Sequence, residues 1–260
     1  MPFPISLKFE AKTGKSGKRK TKIVSSRGRF IKAEPMDNSN GNIAFAATIR
    51  RAAIRCFQEN LLNIEKHDLM KKHLTGKAGS SILFVVDASG SMGVEELMKN
   101  TKNLLLGLLH DAYQKRERTG MIVFRGTKAN TVLPFTKSIS VAKSCLKEIK
   151  TGGKTPLSSA IKKATEELII EKKKHKNNEQ IVLFFTDGRA NISLTEQDPF
   201  EEAVAYAKKL SSLKCKIFVI DTDPTWISYP YAKDLAHQIC ARYYKLTDIL
   251  NKDIRKLIYI

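Results

Sequence analysis

The residues best suited to chemistry are oxygen donors on three separated stretches. Asp87-Ala88-Ser89-Gly90-Ser91 follows the unbroken apolar run Ile82-Leu83-Phe84-Val85-Val86. Thr155 stands behind a glycine pair in Thr151-Gly152-Gly153-Lys154-Thr155-Pro156. Asp187 lies in Thr186-Asp187-Gly188, directly after a second apolar run, Ile181-Val182-Leu183-Phe184-Phe185. Hard divalent cations such as Mg²⁺, with Mn²⁺ as the alternative, take oxygen ligands in near-octahedral array, so the chemistry indicated is metal binding. Each stretch also has an ordinary reading. Ser and Asp after a strand commonly cap helices, and Asp187 alone fits a turn. The set means something only if the fold gathers its members.

The surrounding pattern predicts that it does. Residues 82–86 are β-branched and aromatic without a polar break, which marks a strand buried on both faces. A helix follows over 95–115, then strands over 120–124 and 129–133 separated by Arg125-Gly126-Thr127. That turn is too short for a crossover, so the second of these strands should be an antiparallel edge. Helices are expected over 141–149, 157–172, 200–213 and 231–239, strands over 181–185, 216–220 and 242–245, and a last helix from Thr247. Such alternation defines an α/β, doubly wound, Rossmann-like domain with a mostly parallel sheet and helices on both faces. Its sites lie at the carboxyl ends of strands near the topological switch point. The three donor loops should therefore meet at an exposed carboxyl edge.

Domain limits follow from charge and composition. Of a net charge of +20, residues 1–77 hold 17 Lys/Arg against 6 Asp/Glu, and residues 78–260 hold 29 against 20. Residues 10–33 mix Lys and Arg with Gly and Ser and read as a flexible basic arm. A helix over 43–57 should bury Ala46, Ala47, Ile49, Ala53, Ile54 and Phe57. A short element over 64–74 and a linker over 76–80 complete a first segment, 1–77, ahead of a domain at 78–260. Hydrophobic content of 42% suffices for a packed core. No run approaches the roughly 18 to 20 apolar residues of a membrane span, and Met-Pro-Phe-Pro-Ile-Ser does not open a secretory leader. A cytoplasmic protein without membrane contact is expected. Cys56, Cys145, Cys215 and Cys240 form no Cys-x-x-Cys pair and read as reduced thiols.

Asp-x-Ser-x-Ser, a distant Thr and a later Thr-Asp-Gly, in this order, resemble the metal-ion-dependent adhesion site (MIDAS) of von Willebrand factor A (vWA) domains. Phe84 to Met92, Phe124-Arg125-Gly126, Thr151 to Leu157 and Thr186 to Asn191 further resemble the D subunit family of magnesium chelatase, as do Ser26 to Phe30 and Ala47 to Arg50. The resemblance implies direct metal contacts from Ser89, Ser91 and Thr155, with Asp87 and Asp187 acting largely through waters. It also implies a non-catalytic subunit of a tetrapyrrole metal-insertion complex, magnesium- or cobalt-chelatase-like. The partner would be an AAA+ ATPase or chelatase subunit that offers an acidic residue to the metal. Arg125 and Arg189 would form a positive rim for that partner. Family D subunits carry an AAA+ module and an acidic, proline-rich linker that this sequence does not show, so the resemblance implies a stand-alone relative or a C-terminal fragment, with a stand-alone vWA adaptor for another AAA+ ATPase as the alternative function.

Two other readings are weaker. Gly153-Lys154-Thr155 imitates the end of a phosphate-binding loop, but the glycine required five residues before Gly153 is Glu148. A nucleic-acid-binding module has only charge in its favour, because no aromatic-interleaved basic motif or zinc finger is present. The five histidines have no ligand spacing.

Overall fold

Ser80–Asp87 (β4) is buried along its whole length and forms the centre of the larger sheet. Alternate side chains serve opposite faces, as the period of two demands. Ile82, Phe84 and Val86 enter one core with Leu105, Leu109 and Phe185. Leu83 and Val85 enter the other with Leu157, Ile161 and Phe184. A strand covered on both faces has no need for polar alternation, which is why its sequence reads as a continuous apolar run.

The computed structural model describes residues 21–24, 29–36, 42–56, 62–77, 79–89, 95–223 and 230–250. The chain divides into two compact units, Met1–Lys77 and Ala78–Ile260. In the second, β4 is flanked by Arg118–Arg125 (β5), Lys128–Thr136 (β6), Glu179–Thr186 (β7), Lys216–Asp221 (β8) and Arg242–Lys245 (β9). The six strands run in the order β6-β5-β4-β7-β8-β9. All neighbours are parallel except β5 and β6, so the antiparallel edge strand is present as expected. The helices are Glu95–Gln114 (α2), Ile139–Lys147 (α3), Leu157–Lys174 (α4), Pro199–Ser211 (α5), Tyr231–Gln238 (α6) and Leu246–Leu250 (α7). From β4 the chain moves to β5 and β6, then returns to β7 on the other side of β4. That reversal opens the crevice in which ligands of such sheets bind, at the strands' carboxyl ends. Among the described residues, no helix is long and apolar enough to cross a membrane.

The amino end of the sheet is held by a buried polar clasp. Glu171, on the last turn of α4 and 3% exposed, accepts hydrogen bonds from the Ser81 hydroxyl at 2.8 Å and Arg118 Nε at 2.7 Å. Arg118 also donates to the Phe135 carbonyl at 2.8 Å, and Asn178 donates to the Ser81 hydroxyl at 3.0 Å. Removing one member of a buried ion pair strands the other charge. Arg118→Met is therefore expected to lower stability by about 3 kcal/mol. Urea denaturation measures this, and a loss below about 1 kcal/mol would mean that Glu171 finds water instead.

The first unit corrects three expectations. Residues Thr21–Val24 (β1) and Arg29–Pro35 (β2) of the supposed arm are strands, both antiparallel to Met70–Lys77 (β3) in a sheet ordered β1-β3-β2. Residues 10–20 and 25–28 lie outside the described set. The basic segment orders by backbone pairing rather than by burying apolar surface, since Arg29 to Lys32 remain exposed. The linker is correspondingly short, because β3 runs to Lys77 and β4 starts at Ser80. The helix Phe45–Arg55 (α1) buries Thr48 and Ala52, not the isoleucines: Ile49 is 46% and Ile54 72% exposed. Small residues let α1 approach β3 closely, and the Thr48 hydroxyl accepts the Met70 N–H at 3.0 Å. A single 3₁₀ turn, Lys66–Asp68, then leads into β3; its Asp68 is buried and takes a two-pronged contact from Arg55.

Candidate metal-binding edge

Three backbone-and-side-chain links close the donor loops into a ring. Asp87 ends β4, and its Oδ1 accepts the Ser89 N–H at 2.8 Å, a tight Asx turn that folds the loop back. Its Oδ2 accepts the Thr186 hydroxyl at 3.1 Å, joining the ends of β4 and β7. The Gly152 N–H donates to the Ala88 carbonyl at 2.9 Å, tying the Thr155 loop to the Asp87 loop. The Asn191 N–H donates to the Thr155 carbonyl at 3.1 Å, tying that loop to the Asp187 loop. Asp87, Ser89, Thr155 and Asp187 are thus brought together by the ends of β4 and β7 and the approach to α4. Ser91 lies outside the described residues.

These donors are buried: Asp87 and Ser89 are 0% exposed, Thr155 1% and Asp187 7%. The edge is exposed at Arg125, whereas these four donors lie below its surface. A carboxylate so enclosed is costly to ionise. Burial pushes Asp87 up to about 7, the Asp187 charge adds to the rise, and the Ser89 and Thr186 donors oppose it. The hydrogen-bond partners of Asp87 are neutral. Two carboxylates close enough for the charge of one to act on the other, beside hydroxyls, have the chemistry of a hard-cation site, in which the ion supplies the missing positive charge. Among the described residues, no group of three or more His, Cys, Asp or Glu is gathered. The oxygen set here is of a different kind, with two hydroxyls, Ser89 and Thr155, beside two carboxylates, Asp87 and Asp187.

Gly188 fixes the third loop. Its φ of +78° is open to glycine, and its N–H donates to the Thr186 hydroxyl at 3.0 Å. The Thr186 hydroxyl therefore accepts from Gly188 while donating to Asp87, and it orients the carboxylate without being a predicted ligand. The expected rim residues differ from each other. Arg125 is exposed at the end of β5. Arg189 folds inward, 3.6 Å from Asp187 and 3.5 Å from Asp223. The neighbouring strand end adds a network that sequence reasoning missed: Asp221 accepts the Tyr243 hydroxyl at 2.6 Å and the Asp223 N–H at 2.9 Å. Burial raises the Asp221 pKa, and burial together with that hydrogen bond raises Tyr243. The available signal was position, since Asp221-Thr222-Asp223 also follows an apolar strand.

With this geometry in place, comparison with known proteins gives a consistent answer. Residues 82–189 match the von Willebrand factor type A domain and residues 27–74 the AAPxQ domain. Residues 82–189 are therefore a von Willebrand factor type A domain, in a chain that is similar along most of its length to subunits of magnesium chelatase. The magnesium-chelatase 67 kDa subunit of Heliobacterium mobile is 32% identical, over 91% of this chain and 37% of its own length. That of Chlorobaculum parvum is 31% identical, over 90% of this chain and 41% of its own. The chain thus spans about two fifths of the length of these relatives. An uncharacterised protein of Methanocaldococcus jannaschii is 36% identical, over 62% of this chain and 92% of its own length. Among solved structures, a von Willebrand factor type A protein from Catenulispora acidiphila superposes with a TM-score of 0.55 at 14% identity, covering 71% of this chain and 43% of that one. At that identity the likeness concerns the fold.

Proposed function

We propose that this chain is a Mg²⁺-binding interaction subunit of a chelatase-type complex driven by an AAA+ ATPase, acting in the cytoplasm. Ser89, Ser91 and Thr155 would hold the ion directly, and Asp87 and Asp187 through waters. The observation that carries the reading is the ring of bonds joining the three loops, which assembles an all-oxygen donor set at the switch point of the sheet. Similarity over nine-tenths of the chain to magnesium-chelatase subunits supports the choice of complex. Mn²⁺ fits the same donors.

The role is docking rather than catalysis. Neutral hydroxyls leave most of the ion's charge uncompensated, so the ion when bound supplies an electrophilic point for a carboxylate from another protein. The chain's own part is to hold that point rigid. Asp87 is fixed by Ser89 and Thr186, and the loops by Gly152 and Asn191.

The test is capture of the AAA+ and large chelatase subunits encoded in the same genome, with Mg²⁺ or with EDTA. Complexes should form with Mg²⁺ and disperse in EDTA, and Ser89→Ala with Thr155→Val should speed dissociation by roughly tenfold or more. Binding indifferent to both chelation and these substitutions would remove metal-dependent docking. Capture of a different AAA+ ATPase would place the chain as an adaptor outside chelation.

A further inference from the structure

Beside the donor ring lies a recess of about 490 Å³ with a one-sided lining. Arg125, Gly126, Thr127, Lys128 and Asn130 of the β5–β6 hairpin line it together with Gly152 and Gly153. None of its lining residues is acidic. Arg125 and Lys128 are paired directly across the antiparallel ladder and both are exposed. Like charges in directly opposed positions destabilise a hairpin. Among the described residues, neither cation has an ion-pair partner, whereas Arg118, Arg189 and Lys216 in the same unit each do. Gly152 and Gly153 contribute only backbone to it. A β-carbon on Gly153, whose φ is +92°, would press on the Gly126 backbone at 3.1 Å. The recess thus combines uncompensated positive charge with room for a side chain to enter.

Its position gives it a purpose. The Phe124 carbonyl, one residue before Arg125, accepts the Ala88 N–H at 3.0 Å, and the Ala88 carbonyl accepts the Gly152 N–H at 2.9 Å. Asp87 is the register partner of Phe124. The recess is therefore one strand over from the donor ring, about 5 Å in sheet spacing. A single extended segment advances roughly 3.3 Å per residue and turns alternate side chains to one face, so residues two apart on it, roughly 7 Å, reach both places.

We propose that the recess recognises a second carboxylate on the partner segment that presents the first to the metal. The occupant is an acidic protein segment with two Asp or Glu residues about two positions apart. This rests on the metal-docking reading above. Arg125 and Lys128 act as readers of the partner's sequence, and the cation acts as its anchor.

The test uses fluorescein-labelled Gly/Ser peptides and anisotropy. One peptide carries a single Glu, and the second carries another Glu about two residues further on. With Mg²⁺ the two-acid peptide should bind roughly five- to tenfold tighter, with an advantage that shrinks as salt rises. Arg125→Gln with Lys128→Gln should erase that advantage without lowering the melting temperature, since both side chains are exposed and loss of their repulsion favours the hairpin. EDTA should release both peptides. Equal, EDTA-sensitive binding of the two peptides would overturn the recess and leave metal docking intact. An advantage that survives EDTA and vanishes in the double variant would keep the recess and remove metal docking. Absence of binding by either peptide would overturn both. Stronger, EDTA-indifferent binding of an oligothymidylate would make the patch a nucleic-acid surface and overturn the acidic-segment assignment.

Discussion

Gly188→Ala is expected to cost about 3–5 kcal/mol of stability, a large effect for a single methyl group. Two penalties combine. The φ of +78° is a left-handed conformation that costs an L-residue about 1–2 kcal/mol. The added carbon would also lie 2.5 Å from both the Ala232 Cα and the Tyr231 carbonyl carbon, and nearer still to the Ala232 nitrogen. Those atoms are backbone at the start of α6, whose Ala232, Leu235 and Ala236 are buried, so the obstacle does not swing away. Relief requires the Gly188 loop to lift, which breaks its bond to the Thr186 hydroxyl and loosens the support of Asp87. Gly126→Ala is the control. Its φ is +64°, but nothing lies within 4 Å of the new carbon, so only the conformational penalty of about 1–2 kcal/mol applies. Urea denaturation of the two variants measures the difference. Equal losses would show that α6 gives way easily and that Gly188 is retained for its backbone angle alone.

The sheet and its site were legible because local signals and long-range packing agree there. Residues 82–86 and 181–185 are apolar throughout since both faces are covered, and Arg125-Gly126-Thr127 is too short for anything but a hairpin. The first unit was illegible for the opposite reason. Arg29 to Lys32 show no buried face, and their strand exists only through pairing with residues some forty positions later, such as Arg29 with Thr75. Composition near β2 argues for a solvated chain; the ladder decides otherwise. On α1 the large apolar residues suggest the buried face, yet close approach to β3 selects Ala52 and Thr48. Within the site, the types and order of Asp87, Ser89, Thr155 and Asp187 were readable. The depth of their burial was not, nor was the two-way hydrogen bonding of Thr186. Both depend on how three loops close on one another, a property no single stretch carries.

The sign of the pH dependence at Asp87 distinguishes a cation site from a buried structural carboxylate. Without metal, the folded state holds the Asp87 proton up to about pH 7, whereas the unfolded chain releases it near the ordinary 3.8. Between these values the folded state binds the extra proton, so this group's contribution to stability declines as pH rises through the window. A rise from the ordinary carboxylate range to neutrality corresponds to a penalty on the order of 4 kcal/mol, fully developed once the pH exceeds the folded-state value. Asp87→Asn removes the titration and should flatten the decline when both proteins are melted in EDTA from about pH 4 to pH 8. Metal acts in the opposite direction, because its ligands must be deprotonated. At about pH 8, Mg²⁺ at about 100 times its dissociation constant should restore about 2.7 kcal/mol. Below about pH 7, protons compete for the same carboxylate, and affinity for the ion should fall by up to about tenfold for each further step of one in pH. Asp87→Asn should show little Mg²⁺ response at any pH. A Mg²⁺ response that is the same at about pH 5 and pH 8, or that persists in Asp87→Asn, would place the ion elsewhere. Asp87 would then be a carboxyl group held protonated by its surroundings, donating to the loops rather than ordering a metal.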